Sequence, residues 1–243
     1  WMFPRSSGIR APEPREWILG ALYLPVFLFF LNFAILTYFP ALGFPLTEPR
    51  NYFFANLLYM TVNFAVMLLI FRRTLWQSLR EFEGKMLLSV LIGFGMCYGA
   101  NLVLTTAYTV LDIMPENYNQ EAVNSLLGGY PLAMTLCTVV LSPLAEECLF
   151  RGVLFAPLAR RCLPAAYALS MFLFAGMHVF QFLGSMTAAN TILCLSLYLP
   201  ASFSLCWVYQ KTGNIWACIF LHMFINFQSV LASLLRSLMQ AFL

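Results

Sequence analysis

Two adjacent glutamates interrupt an apolar run, Pro143-Leu144-Ala145-Glu146-Glu147-Cys148-Leu149-Phe150-Arg151. The chain holds only two histidines, His178 and His222, and both also fall in long apolar runs. Asn226 follows His222 by four residues. A glutamate held away from bulk water suits a general base acting on a water molecule. A histidine beside it can share that water's proton. A second histidine, with an asparagine, can donate hydrogen bonds to a developing oxyanion. This set of residue types suits hydrolysis of a peptide bond. No serine or cysteine sits in an evident nucleophile motif, which favours water as the nucleophile. Glu146, His178 and His222 also make up a His₂Glu zinc-ligand set, although the HExxH helix of zinc proteases is absent. Buried acids and histidines equally serve proton or ion transport. The residues alone leave hydrolase and transporter open.

Spacing refines the roles. His222 and Asn226 share one helix face at i,i+4. Glu147 and Arg151 are also four apart, in the favourable acid-first order, and such a pair is commonly structural. The pairing relieves part of the cost of a charge at depth. Glu146 then points about 100° away from Glu147 and faces the bundle interior.

Composition says what must position these side chains. Of the 243 residues, 61% are hydrophobic and 9% charged; soluble domains average about 25% charged. The mean hydropathy is +0.79. The expected fold is all-α, a polytopic transmembrane bundle of about seven spans. A net charge of +3 gives no argument for a nucleic-acid partner. The seven cysteines are scattered, with no CxxC pair, and read as small hydrophobes.

Apolar runs of about 20 residues mark spans. They fall at 17–39, 52–71, 86–111, 131–157, 164–183, 187–209 and 214–240. The first is read as a transmembrane helix, not a signal peptide, because it is span-length and lacks an A-x-A cleavage site. Pro25, Pro143 and Pro200 lie within spans and predict kinks. Gly95 and Gly99 form a GxxxG, a weak sign of close helix contact. In 74–85, Leu75, Trp76, Leu79 and Phe82 share a face, as in a short helix at the membrane surface. The segment 112–130 reads as a loop. No polar linker divides the chain, so 1–130 and 131–243 are two parts of one integrated domain, the second carrying the chemistry.

Basic residues set an expected orientation. With the N-terminus inside, the inner segments hold Arg5, Arg10, Arg15, Arg72, Arg73, Arg80, Lys85, Arg160, Arg161 and Lys211, ten of the 13 basic residues. The outer loops hold only Arg50. At 1.5 Å per residue, Glu146 lies ~16 Å from the inner end of its span and His178 ~21 Å from its own. His222 and Asn226 lie ~12 and ~18 Å in. Three separate helices thus bring polar side chains to a similar depth.

These motifs resemble a known family. Glu146-Glu147-Cys148-Leu149-Phe150-Arg151 is E-E-x-x-x-R, Phe174 to His178 is F-x-x-x-H, and His222 to Asn226 is H-x-x-x-N. In this order on three late helices, across about 131–240, they resemble the CPBP family of intramembrane proteases. That family is also called Abi or CAAX-protease-like, and is related to the Ras-converting endopeptidases. The resemblance implies a helix bundle with a water-filled cavity open to the cytosol and the lipid. It implies Glu146 as general base, His178 as its partner on the water, His222 and Asn226 as oxyanion donors, and Glu147 and Arg151 as supporting residues. Both metal-dependent and metal-free members are described. The metal-free route is favoured, since an asparagine amide serves better as an oxyanion donor than as a zinc ligand. Zn²⁺ on Glu146, His178 and His222 is the alternative. The prenyl-protein branch tends to read A-H-x-x-H, whereas this chain has His178-Val179-Phe180-Gln181. The departure favours the prokaryotic branch, with roles in peptide maturation, bacteriocin processing and self-immunity. The expected partners are a peptide or membrane-protein substrate and the lipid bilayer. The expected location is a bacterial plasma membrane, with the N-terminus and site opening cytosolic. A non-enzymatic immunity or scaffold protein is the rival from a different class.

Overall fold

The structure, a computed structural model, describes residues 9–241. Arg5, counted above among the basic residues, lies outside them. Among the described residues the regular elements are all helical. In chain order they are α1 (Pro14–Ala41), α2 (Pro49–Ile70), α3 (Arg72–Arg80), α4 (Met86–Val110), α5 (Tyr118–Gly129), α6 (Pro131–Ala159), α7 (Leu163–Ser185), α8 (Ala188–Thr212) and α9 (Ile215–Ala241). All but α3 and α5 are long and apolar enough to cross a membrane, within a few residues of the seven expected spans. The protein is an integral membrane protein with an all-α polytopic fold.

Proline sets several helix starts. Pro14, Pro49 and Pro131 each occupy a first-turn position, where the missing N–H has no intrahelical role. α8 begins at Thr187, whose hydroxyl accepts from the Asn190 N–H at 3.2 Å, and ends at Gly213 with φ +62°. Outward faces stay apolar, as lipid contact requires: Phe29, Phe33, Leu88 and Val103 are exposed.

α6 occupies the centre. Half of its most apolar stretch is buried within the protein, against 17% for α1 and α4. One apolar core runs from Phe27 and Met67 through Leu149 and Phe155 to Leu205 and Ile219. Gly152 lets α6 meet the Phe71 ring; a Cβ there would stand 2.8 Å from a ring carbon. A Cβ on Gly95 or Gly99 would meet nothing within 4 Å, so the GxxxG is not a packing seam within this chain. The close approach occurs at Gly93, where a Cβ would stand 2.6 Å from Val208 and 2.9 Å from Leu221.

A short helix, α3, forms, but as Arg72–Arg80 and not over 74–85, so Phe82 lies beyond its end, and its contacts differ from the predicted stripe. Leu75 and Ser78 turn inward, while Trp76 and Leu79 are exposed. The α3 N-terminus is capped from another helix: the Glu16 carboxylate accepts from the Arg73 N–H at 2.9 Å and from Thr74. The Ser78 hydroxyl accepts from the Ile215 N–H at 3.0 Å, and the Ser78 carbonyl accepts from Asn214 Nδ2 at 2.7 Å. α3 is thereby pinned across the start of α9.

The segment 112–130 is not wholly a loop. Asn117 caps a 12-residue helix, α5, by accepting from the Gln120 N–H at 3.1 Å. Leu126 and Leu127 bury against Phe53, Met134 and Val230.

Candidate functional site

The two glutamates sit on a short α-helical stretch of α6, Ser142–Glu147. It is flanked by two wider, π-helical stretches, Cys137–Leu141 and Cys148–Phe155. Such wide turns inside α-helices are frequent at functional sites. Pro143 belongs to this pattern. In the i−5 register of the preceding turn, the Ser142 N–H reaches the Cys137 carbonyl. The next N–H, which Pro143 lacks, is the one that would reach Thr138. The freed Thr138 carbonyl instead accepts from Asn226 Nδ2 at 2.8 Å. The Asn226 amide, expected as an oxyanion donor, therefore spends one N–H on the kink of α6 and keeps a second.

His222 is clasped from both edges. Its Nδ1 lies 2.7 Å from Glu147 Oε1, and its Nε2 lies 3.8 Å from Glu146 Oε2. Neighbouring helical residues point about 100° apart, yet the two nitrogens of one imidazole also face different ways. One ring can thus engage both acids. Glu147 only accepts, so Nδ1 carries a hydrogen and Nε2 is the variable position.

Arg151 completes the cluster. Its Nη1 donates to Glu147 Oε1 at 3.0 Å, and its Nη2 donates to the Ser202 carbonyl at 3.2 Å. The guanidinium also lies 5.0 Å from the centroid of the Phe174 ring. Arg151 and Glu147 are both 0% exposed, so their charges must be compensated within the protein. With both glutamates ionised, Arg151 leaves the group one negative charge over. One proton on the Glu146–His222 pair brings it to neutrality. Placed on Glu146 or on His222, such a proton would leave the group neutral overall.

Glu146 is 8% exposed, and its Oε2 has no hydrogen-bond partner within the protein. Glu147 Oε2 and Thr138 Oγ1 are likewise buried and unpartnered. Buried polar atoms of this kind mark where water or a polar ligand is accommodated.

His178 stands on the other side of Phe174. The Phe174 ring centroid is 4.9 Å from that of His178 and 5.6 Å from that of His222. His178 Nδ1 donates to the Phe174 carbonyl at 2.8 Å, since a carbonyl only accepts. In the neutral ring Nε2 is then a bare acceptor. Gly176 allows the Phe180 ring to fold back over this turn; a Cβ there would lie 2.5 Å from it. Glu146 forms its contact with His222, and no direct bond joins it to His178. Among the described residues no three His, Cys, Asp or Glu side chains gather to hold one metal ion. Glu146, His178 and His222 are accordingly not gathered around one point.

Thr138, Tyr198 and Ser202 take part without having been singled out from sequence. Thr138 carried no local signal, since a proline in a regular α-helix frees the carbonyl four residues earlier and only the wide turn moves this to the fifth. Phe174 was read only as a motif letter, yet it touches Arg151 and both histidines. Tyr198 and Ser202 carried no local signal.

The family model described as "Type II CAAX prenyl endopeptidase Rce1-like" matches residues 128–228, which contain both glutamates, both histidines and Asn226. The Bacillus subtilis (strain 168) protein named "Putative membrane peptidase YdiL" is 28% identical over 166 residues, covering 66% of this chain. The match spans 64% of that relative's length, somewhat less than two thirds. No solved structure matches. Over residues 128–228 the chain is thus similar to the type II CAAX prenyl endopeptidase Rce1-like family, and over 66% of its length to a protein named as a membrane peptidase.

Proposed function

We propose that the protein is an intramembrane endopeptidase that hydrolyses a peptide bond in a peptide or membrane-protein substrate with an activated water. The observation that carries this is the buried, unpartnered Glu146 Oε2, 3.8 Å from His222 Nε2. In the arrangement with Glu146 ionised, His222 holds a hydrogen on both nitrogens. One state of the cluster then supplies a base and an oxyanion donor together. Glu146 takes a proton from water, and the resulting hydroxide adds to the substrate carbonyl. The oxyanion is met by His222 Nε2–H and by the second N–H of Asn226. Glu146 returns its proton to the leaving amine as the C–N bond breaks. The products are one carboxylic acid and one amine. His178, with Nε2 bare, accepts the other hydrogen of the water and orients it.

The route proposed is metal-free, because the amide of Asn226 serves better as an oxyanion donor than as a zinc ligand. The basic ends of the spans are taken to face the cytosol of a bacterial cell, from the arginine-rich segments around Arg72 and Arg160. The family model's description names a prenyl endopeptidase, while Gln181 stands where that branch tends to have a second histidine. The substrate class is therefore proposed as a peptide or protein tail, prenylated or not.

The test uses the protein in liposomes with two quenched fluorescent peptides, one ending in a farnesylated CAAX motif and one unprenylated. Glu146→Gln should lower turnover by about 10²–10⁴-fold while leaving the thermal transition in place. Retained cleavage in that variant would remove Glu146 as the base. Chelation should leave cleavage unchanged; loss restored by zinc would replace the metal-free route.

A further inference from the structure

The mechanism above needs His178 held with its bare nitrogen toward the water, and the Phe174 carbonyl fixes only one atom of that ring. A second contact fixes its plane. The His178 and Tyr198 rings stack with centroids 4.5 Å apart and planes 22° apart. Tyr198 is itself anchored: its hydroxyl donates to Asn117 Oδ1 at 3.0 Å and accepts from Asn119 Nδ2 at 3.1 Å. Both asparagines stand at the head of α5, the helix hidden in the supposed loop.

α5 is fastened at several further points. Gln120 Nε2 donates to Asn124 Oδ1 at 2.9 Å, and Ser229 of α9 donates to Gln120 Oε1 at 3.3 Å. Just before α5, the Glu116 N–H donates to Asn190 Oδ1 at 2.9 Å, and Asn190 Nδ2 donates back to the Glu116 carbonyl at 3.0 Å. Tyr118 stacks on Phe182, four residues beyond His178. A tyrosine ring with a doubly bonded hydroxyl is a rigid platform, because neither its ring nor its tip is free to move.

We propose that Tyr198, held by Asn117 and Asn119, is the positioning residue for His178, and that α5 is the clamp that holds this platform. The inference rests on the reading of His178 as a site residue. Tyr198 touches neither water nor substrate; it acts by fixing the plane in which His178 Nε2 is presented.

The chain's two histidines make the test direct. Protein labelled with ¹³C,¹⁵N-histidine in lipid nanodiscs yields two imidazole spin systems, and His222→Gln assigns them. Tyr198→Leu should shift the His178 ring protons downfield, as the stacked ring current is lost, and should broaden the Nδ1–H signature. The same variant should lower kcat on the fluorescent peptides by about 10–100-fold, with KM little changed. Tyr198→Phe keeps the ring and loses the anchor, so it should give a smaller change. Asn117→Ala and Asn119→Ala should each resemble Tyr198→Phe and add little to it. Should Tyr198→Leu fail to fold, these milder variants carry the same readout. Unmoved His178 signals in a folded Tyr198→Leu protein, or in all three milder variants, overturn the proposal. Signals that move in a protein whose parent cleaves neither peptide keep the positioning role and count against the endopeptidase reading instead.

Discussion

Asn226 donates its side-chain amide to the backbone carbonyl of Thr138, across the interface between α9 and α6. This bond ties a residue of the H-x-x-x-N motif to the backbone defect that Pro143 makes beside the two glutamates. Removing it leaves a partly buried carbonyl without a donor. Asn226→Ala should therefore cost about 1 kcal/mol of stability. Pro143→Ala restores an N–H to α6, so the same substitution should cost much less in that background. Cleavage should not recover in the double variant, because the second Asn226 N–H is still gone. Thermal unfolding in detergent, read beside peptide cleavage, separates the two roles.

The Glu147–Arg151 pair gives a sharper stability test. Both side chains are fully buried. Glu147→Ala leaves a guanidinium facing Ser202 and the Phe150 and Phe174 rings, and should destabilise by about 3–5 kcal/mol. Replacing both with methionine removes both charges and should be less damaging than either single change. If the double variant were the worst of the three, the pair would be stabilising beyond mutual compensation.

Glycine substitutions test the helix contacts. Gly93→Ala places a methyl against the stiff Val208 side chain and should cost about 1–3 kcal/mol. Gly95→Leu and Gly99→Leu face open space and should leave the unfolding transition of the monomer unchanged. A large effect at Gly95 or Gly99 would point to a contact outside this chain.

Much of this architecture was legible from residue types. Seven apolar runs named the seven spans because a bilayer fixes their length, and prolines marked several starts. α5 was missed because its polar residues serve other helices: Asn117, Asn119 and Gln120 look like loop residues until Tyr198 and Ser229 are in place. The glycine spacing at Gly95 and Gly99 misled, since a spacing says nothing about which face meets a neighbour. In the site, the residue types were readable, but their pairing was not. That Glu146 meets His222 and His178 meets Tyr198 depends on two wide turns in α6 and on the placement of α8, neither of which has a local signature.

The proposed sharing of a single proton by Glu146 and His222 has an electrical consequence. The buried cluster stays neutral whichever residue holds it, so the proposed hydrolysis would move no net charge across the bilayer. The proton itself shifts by 3.8 Å at most. Across a hydrocarbon core of ~30 Å, that is about an eighth of the transmembrane field. At ~2.3 kcal/mol per charge per 100 mV, the bias is ~0.3 kcal/mol. Peptide turnover in liposomes should therefore be nearly indifferent to an imposed membrane potential. A proton-coupled transporter built from the same residues would respond steeply. Voltage thus becomes a way to tell a buried acid that catalyses from one that conducts.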